Sequence, residues 1–350
     1  MAFARPQVAF LILNWNKWEI TVECLESVIQ NRFRDYEVVL VENGSKNDSF
    51  EKILSYCRGE LETSSPFFKY SNDSKPLPVR TVKIKEDGSF QIEEGHGPMR
   101  EGPGLTLIKV EENQGYAEGN NIGIRFISQH VDPQYVLFMN NDVVVDPDFL
   151  SPLVDRMKAT EDVAMAAPKI KYYELNGSSN IINCAGCFLD MARVRSQRRG
   201  RDEEDRGQYD IEGMVDFADG ACFLMRMSVL NVTGGFDRSF FTYWEETDLS
   251  IRTTRLGHKI IYVPRSVVWH RETYSIVTES KEYYMVRNRY KFIRKNGTRW
   301  QANRFMAYHL LVLLVPTVLV YVRDGETQRV RPFLKGTVDG VRTLMDHSEG

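Results

Sequence analysis

Five cysteines in 350 residues are too few for a disulfide framework, and the odd count leaves at least one thiol unpaired. A basic field is lacking as well: 45 Lys and Arg face 48 Asp and Glu, for a net charge of −3, so nucleic acid is not an expected partner. The opening stretch MAFARPQVAFLILNWN has no separate apolar segment followed by a small-residue cleavage site. No signal peptide is read there, and a reducing, cytoplasmic compartment is the expectation. GxxxxGK[ST] is missing, which excludes a P-loop, and no GxGxxG follows the first apolar run, which argues against a dinucleotide-binding domain. Long apolar runs are also missing, with one exception near the C-terminus, Phe305–Val322, interrupted by Pro316.

What is present is an ordinary globular composition, 42% hydrophobic and 27% charged, long enough for one large domain or two modest ones. Val8–Leu13 is a continuous apolar run of strand length, as expected in a sheet covered on both faces. Trp18, Val22, Leu25 and Ile29 follow at helical spacing. Further strand-like runs are Val38–Val41, Leu105–Val110 and Tyr135–Met139. Asp146-Pro147 reads as an N-cap and first helical residue, ahead of an apolar face of Phe149, Leu150, Leu153, Val154 and Met157. Strands alternating with helices give an α/β fold with a mostly parallel sheet flanked by helices.

Three segments break this rhythm. Residues 59–104, rich in Pro and Gly, read as an insertion, a small hairpin excursion outside the sheet. Arg193–Gly207 carries dense charge of both signs and reads as a solvated, mobile loop. Cys184 and Cys187 form a CxxC with no second pair or His pair at zinc spacing, and read as a buried or incidental pair, with a redox role as the remaining alternative.

In open parallel sheets, ligands bind beyond the carboxyl ends of the strands. Each such end here carries a polar cluster: Asn14-Trp15-Asn16, Glu42-Asn43, Asn113-Gln114-Gly115 and Asn140-Asn141-Asp142. One cluster alone is turn chemistry, because Asn, Asp and Gly favour turns. Four together favour a nucleotide site.

The segments VAFLILNWN, VLVENGSKNDS, NQGYAEGNNIGI, VLFMNNDVVVDPDFL and GGFDRSFFTYWEETDLSIRTTRLG, then VWH, occur in one order. In that order they resemble a family 2 glycosyltransferase of the GT-A fold, in its rhamnosyltransferase-like branch. The resemblance covers residues 6–275 apart from the insertion. It implies a catalytic domain over 1–275 and a C-terminal helical region over 276–350. It implies inverting transfer of a sugar from a nucleoside-diphosphate donor to an acceptor hydroxyl, with Mg2+ or Mn2+. Rhamnose is the sugar expected through the resemblance alone, within a deoxythymidine- or uridine-linked hexose.

By the same resemblance, Asn140-Asn141-Asp142 stands at the metal motif. Asp142 is the main ligand, Asn140 supports it and Asn141 lies against the donor. A hard divalent ion takes few carboxylates and completes its shell with phosphate oxygens and water, which fits this set. His270 adds a metal or diphosphate contact, and Arg271 and Arg287 are candidate diphosphate partners. Asn14, Asn16 and Glu42 would line the nucleoside pocket, with Glu42 in a place usually held by Asp. Asn113, Gly115, Asn120 and Asn121 fall near the donor's nucleoside and sugar, and Asp219-Gly220-Ala221 shapes the sugar and acceptor pocket. Glu246 takes the position of the general base, with Glu245 as its nearest rival.

Two other functions remain open at this point. A sugar-nucleotide nucleotidyltransferase would want a glycine-rich basic loop where Asn14-Trp15-Asn16-Lys17 stands. A non-catalytic nucleotide-sugar binding module is suggested by Glu42, Asn140 and Glu246, which depart from the usual residues while keeping charge or hydrogen-bonding capacity. Phe305–Val322 reads as an interfacial helix, a short span or a buried helix. The resemblance favours contact with the cytoplasmic face of a membrane, where relatives act on glycan or lipid-linked acceptors.

Overall fold

The computed structural model describes residues 6–96, 103–272 and 279–345. The chain runs β1 (Val8–Asn14), α1 (Trp18–Ile29), β2 (Tyr36–Asn43), α2 (Ser49–Arg58), β3 (Val79–Ile84), β4 (Phe90–His96), β5 (Leu105–Val110) and α3 (Gly115–His130). It continues through β6 (Tyr135–Asn140), β7 (Val143–Val145), α4 (Leu150–Ala159), β8 (Val163–Tyr172), β9 (Ile182–Cys184), β10 (Cys187–Asp190) and β11 (Arg195–Arg198). There follow β12 (Gly213–Met214), β13 (Cys222–Arg226), α5 (Met227–Thr233), α6 (Glu245–Arg255) and β14 (Lys259–His270). Helices α7 (Glu279–Asn296), α8 (Arg299–Tyr308), α9 (Leu314–Arg323) and α10 (Val330–Met345) complete it.

One sheet organises the fold, in the order β12-β14-β8-β13-β6-β1-β2-β5-β3-β4, with β7 added to β14 and β9 to β8. From β6 to β3 every neighbouring pair is parallel, and so is β14 with β8. Strand β13 runs antiparallel between β6 and β8. The apolar runs are continuous because successive residues serve opposite cores. Phe10, Ile12, Val38 and Leu40 face one core, and Ala9, Leu11, Val39 and Val41 the other. Helix α3 lies close on this sheet: a Cβ at Gly123 would meet Leu11 Cδ1 at 2.2 Å.

Three expectations are corrected. The excursion at 59–104 does not stay outside the sheet, because β3 pairs in parallel with β5 and β4 closes the edge as a hairpin. Its alternation explains this: Val82 is buried while Lys83 is exposed, and Arg80 is held in by Glu37 at 2.6 Å and Thr106 at 2.6 Å. Helix α4 begins at Leu150, three residues later than the Asp146-Pro147 signal suggests. Asp146 Oδ1 instead accepts from Asp148 N at 2.9 Å, a local turn that competes with capping. Residues 193–207 are no free loop. Strand β11 pairs with β10, Val194 is fully buried, and Asp205 accepts two bonds from Lys169, each of 3.0 Å.

The C-terminal helices build a third core around Tyr290, Phe292, Phe305 and Phe333. Residues Arg299–Arg323 form one helix of 25 residues, long and apolar enough to cross a membrane, and only 17% of its apolar window is buried. Its turn at His309–Leu313 widens to π geometry ahead of Pro316, which has no N–H to offer the ladder. Leu311 is 83% exposed and Leu319 is 62% exposed. Phe305, His309 and Tyr321 are buried, Phe305 and Tyr321 in the third core, while most of the apolar stretch faces outward.

Candidate active site

Strand register brings the site together. His270 pairs with Val143, next to the Asn140-Asn141-Asp142 turn, and Arg271 N donates to Asp142 O at 2.9 Å. Strand β13 pairs Cys222 with Met139, so Asn140 N donates to Ala221 O at 3.0 Å and Asp219-Gly220-Ala221 lies beside the turn. The first turn of α6 then presents Glu245 and Glu246, and a Cβ on Gly220 would stand 3.4 Å from Glu246 Cγ. Together these surfaces enclose a cavity of about 910 Å3.

Asn140, Asn141, Asp142, Gly220, Ala221, Glu245, Glu246 and His270 all line that cavity. Asn14, Asn16, Glu42, Asn113, Gly115, Asn120 and Asn121 are not in its lining. Asn14, Glu42, Asn113 and Gly115 stand at the ends of β1, β2 and β5. Asn141 Nδ2 donates to Asn14 Oδ1 at 3.3 Å and to Thr21 Oγ1 at 2.8 Å, joining the two regions. Asn16 Oδ1 accepts from Lys46 N at 2.7 Å. Glu42 Oε1 accepts from Ser45 N at 3.0 Å and bonds Ser45 Oγ, and burial raises its pKa.

Asn113 Oδ1 accepts from Asn43 Nδ2 at 3.1 Å and from Gly115 N at 2.8 Å. Gly115 has φ +76°, and a Cβ there would strike the Phe241 ring at 2.5 Å, so the loop before α6 rests directly on this turn. Asn120 Nδ2 donates within its helix to Tyr116 O at 2.8 Å. Asn121 donates to Phe236 O at 2.8 Å and accepts from Phe236 N at 2.9 Å, which ties α3 to the loop after α5.

His270 Nε2 lies 3.2 Å from Asp142 Oδ1. Oδ1 of Asp142 and Nδ1 of His270 are buried without a hydrogen-bond partner among the described residues. Two ligands on adjacent corners of an octahedral ion with bonds of about 2.1 Å stand about 3 Å apart, so the spacing of His270 Nε2 and Asp142 Oδ1 fits a divalent cation. Burial alone would lower the His270 pKa, but the carboxylates of Asp142, Asp219 and Glu272 outweigh it and raise it.

Burial pushes Glu246 up to about 7; Asp219 adds to the rise and Arg198 opposes it. Glu245 is raised well above the ordinary carboxylate range, by burial and by Glu246, and its Oε2 has no hydrogen-bond partner among the described residues. Phe241, Tyr243 and Trp244 all hold positive φ, at 67°, 68° and 77°, immediately before these glutamates. Non-glycine residues persist there only where the surroundings force them. The clamp is α7, whose Asn288 Nδ2 donates to the carbonyls of Phe240, Thr242 and Tyr243 at 2.9, 2.7 and 2.8 Å. Arg287 joins it, donating to Phe240 O at 2.9 Å, and so braces the loop.

Several lining residues were not singled out from the sequence. Arg198 Nε donates to Asp219 Oδ2 at 2.7 Å, and its Nη1 to Glu272 Oε2 at 2.7 Å. Burial would raise Glu272, but Arg198 leads the groups that hold it down at about 2. Tyr116 Oη donates to Gly220 O at 3.0 Å. Glu23, behind the lining, accepts from Tyr173 and Arg271, which are both in it. Their common signal in sequence is weak, because each acts through a partner far away in the chain.

Residues 100–303 match the family described as "Glycosyltransferase like family 2". The N-acetylglucosaminyl-diphospho-decaprenol L-rhamnosyltransferase of Mycobacterium tuberculosis is 30% identical over 91 residues, 25% of this chain and 30% of that protein. The chain thus spans less than a third of that relative's length. The dTDP-rhamnosyl transferase RfbF of Shigella flexneri is 21% identical over 256 residues, 69% of this chain and 79% of the relative. In structure, the mannosyltransferase PcManGT from Pyrobaculum calidifontis, in complex with GDP-Man and Mn2+, aligns with a TM-score of 0.54 at 12% identity. That alignment covers 97% of this chain and 88% of PcManGT, and supports the GT-A fold.

Proposed function

The chain belongs to glycosyltransferase like family 2, and on that premise we propose that it transfers a hexose with inversion from a nucleoside-diphosphate sugar to a hydroxyl of a glycan or lipid-linked glycan. The observation that carries this reading is the meeting, in one cavity, of the Asp142–His270 pair and the Glu246 carboxyl. The names of the relatives favour dTDP-rhamnose over a UDP-hexose as donor, and an acceptor on a polyprenyl diphosphate.

In this reading the ends of β1, β2 and β5 receive the nucleoside, through Asn14, Asn16, Glu42, Asn113 and Gly115. Lys17 and Arg271, both in the lining, face the diphosphate. Asp142 and His270 hold Mg2+ or Mn2+, with Asn140 in support, and the ion supplies Lewis-acid stabilisation of the departing nucleoside diphosphate. Asp219, held by Arg198, and the Gly220 and Ala221 backbone shape the acceptor side. Glu246 accepts the proton of the acceptor hydroxyl as it attacks, and a pKa near 7 suits that task at neutral pH. Glu245, pushed up by burial and by the Glu246 carboxyl, stands directly beside the base.

The exposed apolar face of Arg299–Arg323, with Leu334 and Val338 of α10, supports contact with the cytoplasmic face of a membrane. The test of the reading is incubation with a panel of nucleotide sugars and Mn2+, scored by thermal shift and by transfer. The expected outcome is stabilisation by one donor and, for Glu246→Gln, transfer reduced by about 100-fold or more with that stabilisation intact. Unchanged turnover in Glu246→Gln would remove the base assignment.

A further inference from the structure

The CxxC pair is the one sequence motif that the proposed transfer does not use. Sγ of Cys184 and Sγ of Cys187 lie 3.1 Å apart, both buried, across a turn in which Gly186 takes φ +112°. The turn is bonded to chain neighbours of both halves of the Arg198–Asp219 pair, Arg199 and Asp216. Ala185 N donates to Arg199 O and Arg199 N to Gly186 O, each at 2.9 Å, beside Arg198. Asp216 N donates to Cys187 O at 3.0 Å, on the segment that leads into Asp219. The Cys187 thiol itself points at Asp219 Oδ2, at 3.8 Å.

Two thiolates on one tetrahedral zinc, at about 2.3 Å each, stand about 3.8 Å apart, wider than this pair. The third candidate ligand is also committed, since Asp219 accepts from Arg198 Nε at 2.7 Å and from Ala221 N at 3.0 Å. Distance alone does not decide, since zinc asks for about 0.7 Å of separation and a disulfide for about 1 Å of approach, to about 2.05 Å. The described residues offer three candidate ligands where a structural zinc takes four, which favours the disulfide. We infer that Cys184 and Cys187 form a reversible disulfide whose closure is felt at Asp219 and slows transfer.

The step balances with a peroxide as oxidant. Two thiols lose two protons and two electrons, one S–S bond forms, and hydrogen peroxide is reduced to two waters. A dithiol reverses it, itself becoming a disulfide. Closure removes the S–H that Cys187 directs at Asp219 and pulls the turn on which Arg198 and Asp219 both hang. Burial keeps the Cys187 thiol protonated at neutral pH, so oxidation is slow and quickens as pH rises.

The test treats the full chain with hydrogen peroxide, blocks the remaining thiols, and maps disulfides by mass spectrometry, a measurement that needs no substrate. The expected result is a Cys184–Cys187 crosslink, 2 Da lighter than the dithiol and lost on dithiothreitol treatment. Transfer falls several-fold on oxidation and returns on reduction, and Cys184→Ala and Cys187→Ala, made separately, are insensitive to peroxide. Free thiols at both positions after prolonged oxidation would overturn the inference. So would equal peroxide sensitivity in both alanine variants, or stoichiometric zinc in the reduced protein that either variant abolishes. Because the crosslink is read chemically, a wrong donor or acceptor assignment leaves this result standing.

Discussion

His270, the last residue of the longest strand, places Nε2 3.2 Å from Asp142 Oδ1, across a ladder in which His270 pairs with Val143. Neither side chain needs a loop rearrangement to meet the other, because the pairing of β7 with β14 sets their separation. We expect Asp142→Asn and His270→Ala each to weaken Mn2+ binding by about tenfold or more, read by calorimetry. His270→Ala should keep the parent fold, since its Nδ1 bonds nothing in the described residues. Unaltered Mn2+ affinity in both variants would show that the ion sits elsewhere.

The Glu246 carboxyl, raised to about 7, governs two pH dependences with opposite signs. As a base it acts when deprotonated, so transfer should climb through about pH 7 and level off above it. For stability, the folded pKa lies above the ordinary 4.5, so the folded state binds the proton more tightly than the unfolded chain. That contribution is complete below about pH 4.5 and is lost as pH rises through about 7. Glu246→Gln should therefore stabilise the protein at pH 8, by roughly 1–3 kcal/mol, and change little at pH 4. Thermal unfolding at the two pH values checks the sign.

Much of this site is legible in the amino-acid sequence. Apolar runs followed by Asn, Asp or Glu mark where strands end, and Asp142, Glu246 and His270, far apart in the chain, line one cavity. Residues whose role depends on a remote partner are not legible in that way. Arg198 sits in a segment whose mixed charge suggests a solvated loop, yet its guanidinium is turned inward by Asp219 and Glu272, 21 and 74 residues away. Asn120 and Asn121, read from the resemblance as lying near the donor, show what a motif does not display. Neighbours on a helix point about 100° apart, so two adjacent amides do not face one ligand together. Asn120 bonds its own helix, and Asn121 bonds the Phe236 backbone. The hairpin at β3 and β4 is masked by the prolines around it, although the alternation around Val82 is that of a strand with one face buried and one exposed.

Asn288 satisfies three carbonyls of a loop whose residues 241, 243 and 244 hold positive φ. Replacing it with Ala removes the amide's bonds to the Thr242 and Tyr243 carbonyls, while Phe240 O keeps Thr242 N and Arg287 Nη2, at a cost of about 2–3 kcal/mol. We expect Asn288→Ala to lower the melting temperature by a few degrees and to reduce kcat, because Glu245 and Glu246 follow directly on that loop. Donor affinity should change by less than threefold, since the ends of β1, β2 and β5 are untouched. A variant that lost donor affinity and kept kcat would contradict the clamp.

The helix Arg299–Arg323 gives the most direct test of membrane contact. Leu311 and Leu319 are 83% and 62% exposed, so their replacement should leave the folded chain as stable as before. Burying a leucine side chain in lipid is worth about 1.5–3 kcal/mol, so each substitution should lower the partition coefficient by about tenfold or more. The measurement is flotation with phosphatidylglycerol-containing vesicles, comparing the parent chain with Leu311→Glu and the double variant Leu311→Glu/Leu319→Glu. Stepwise loss of flotation at constant melting temperature supports a lipid-facing helix, with Arg299, Arg304 and Arg323 toward the headgroups. Equal flotation of all three, or none from the parent, assigns this face to something other than a bilayer.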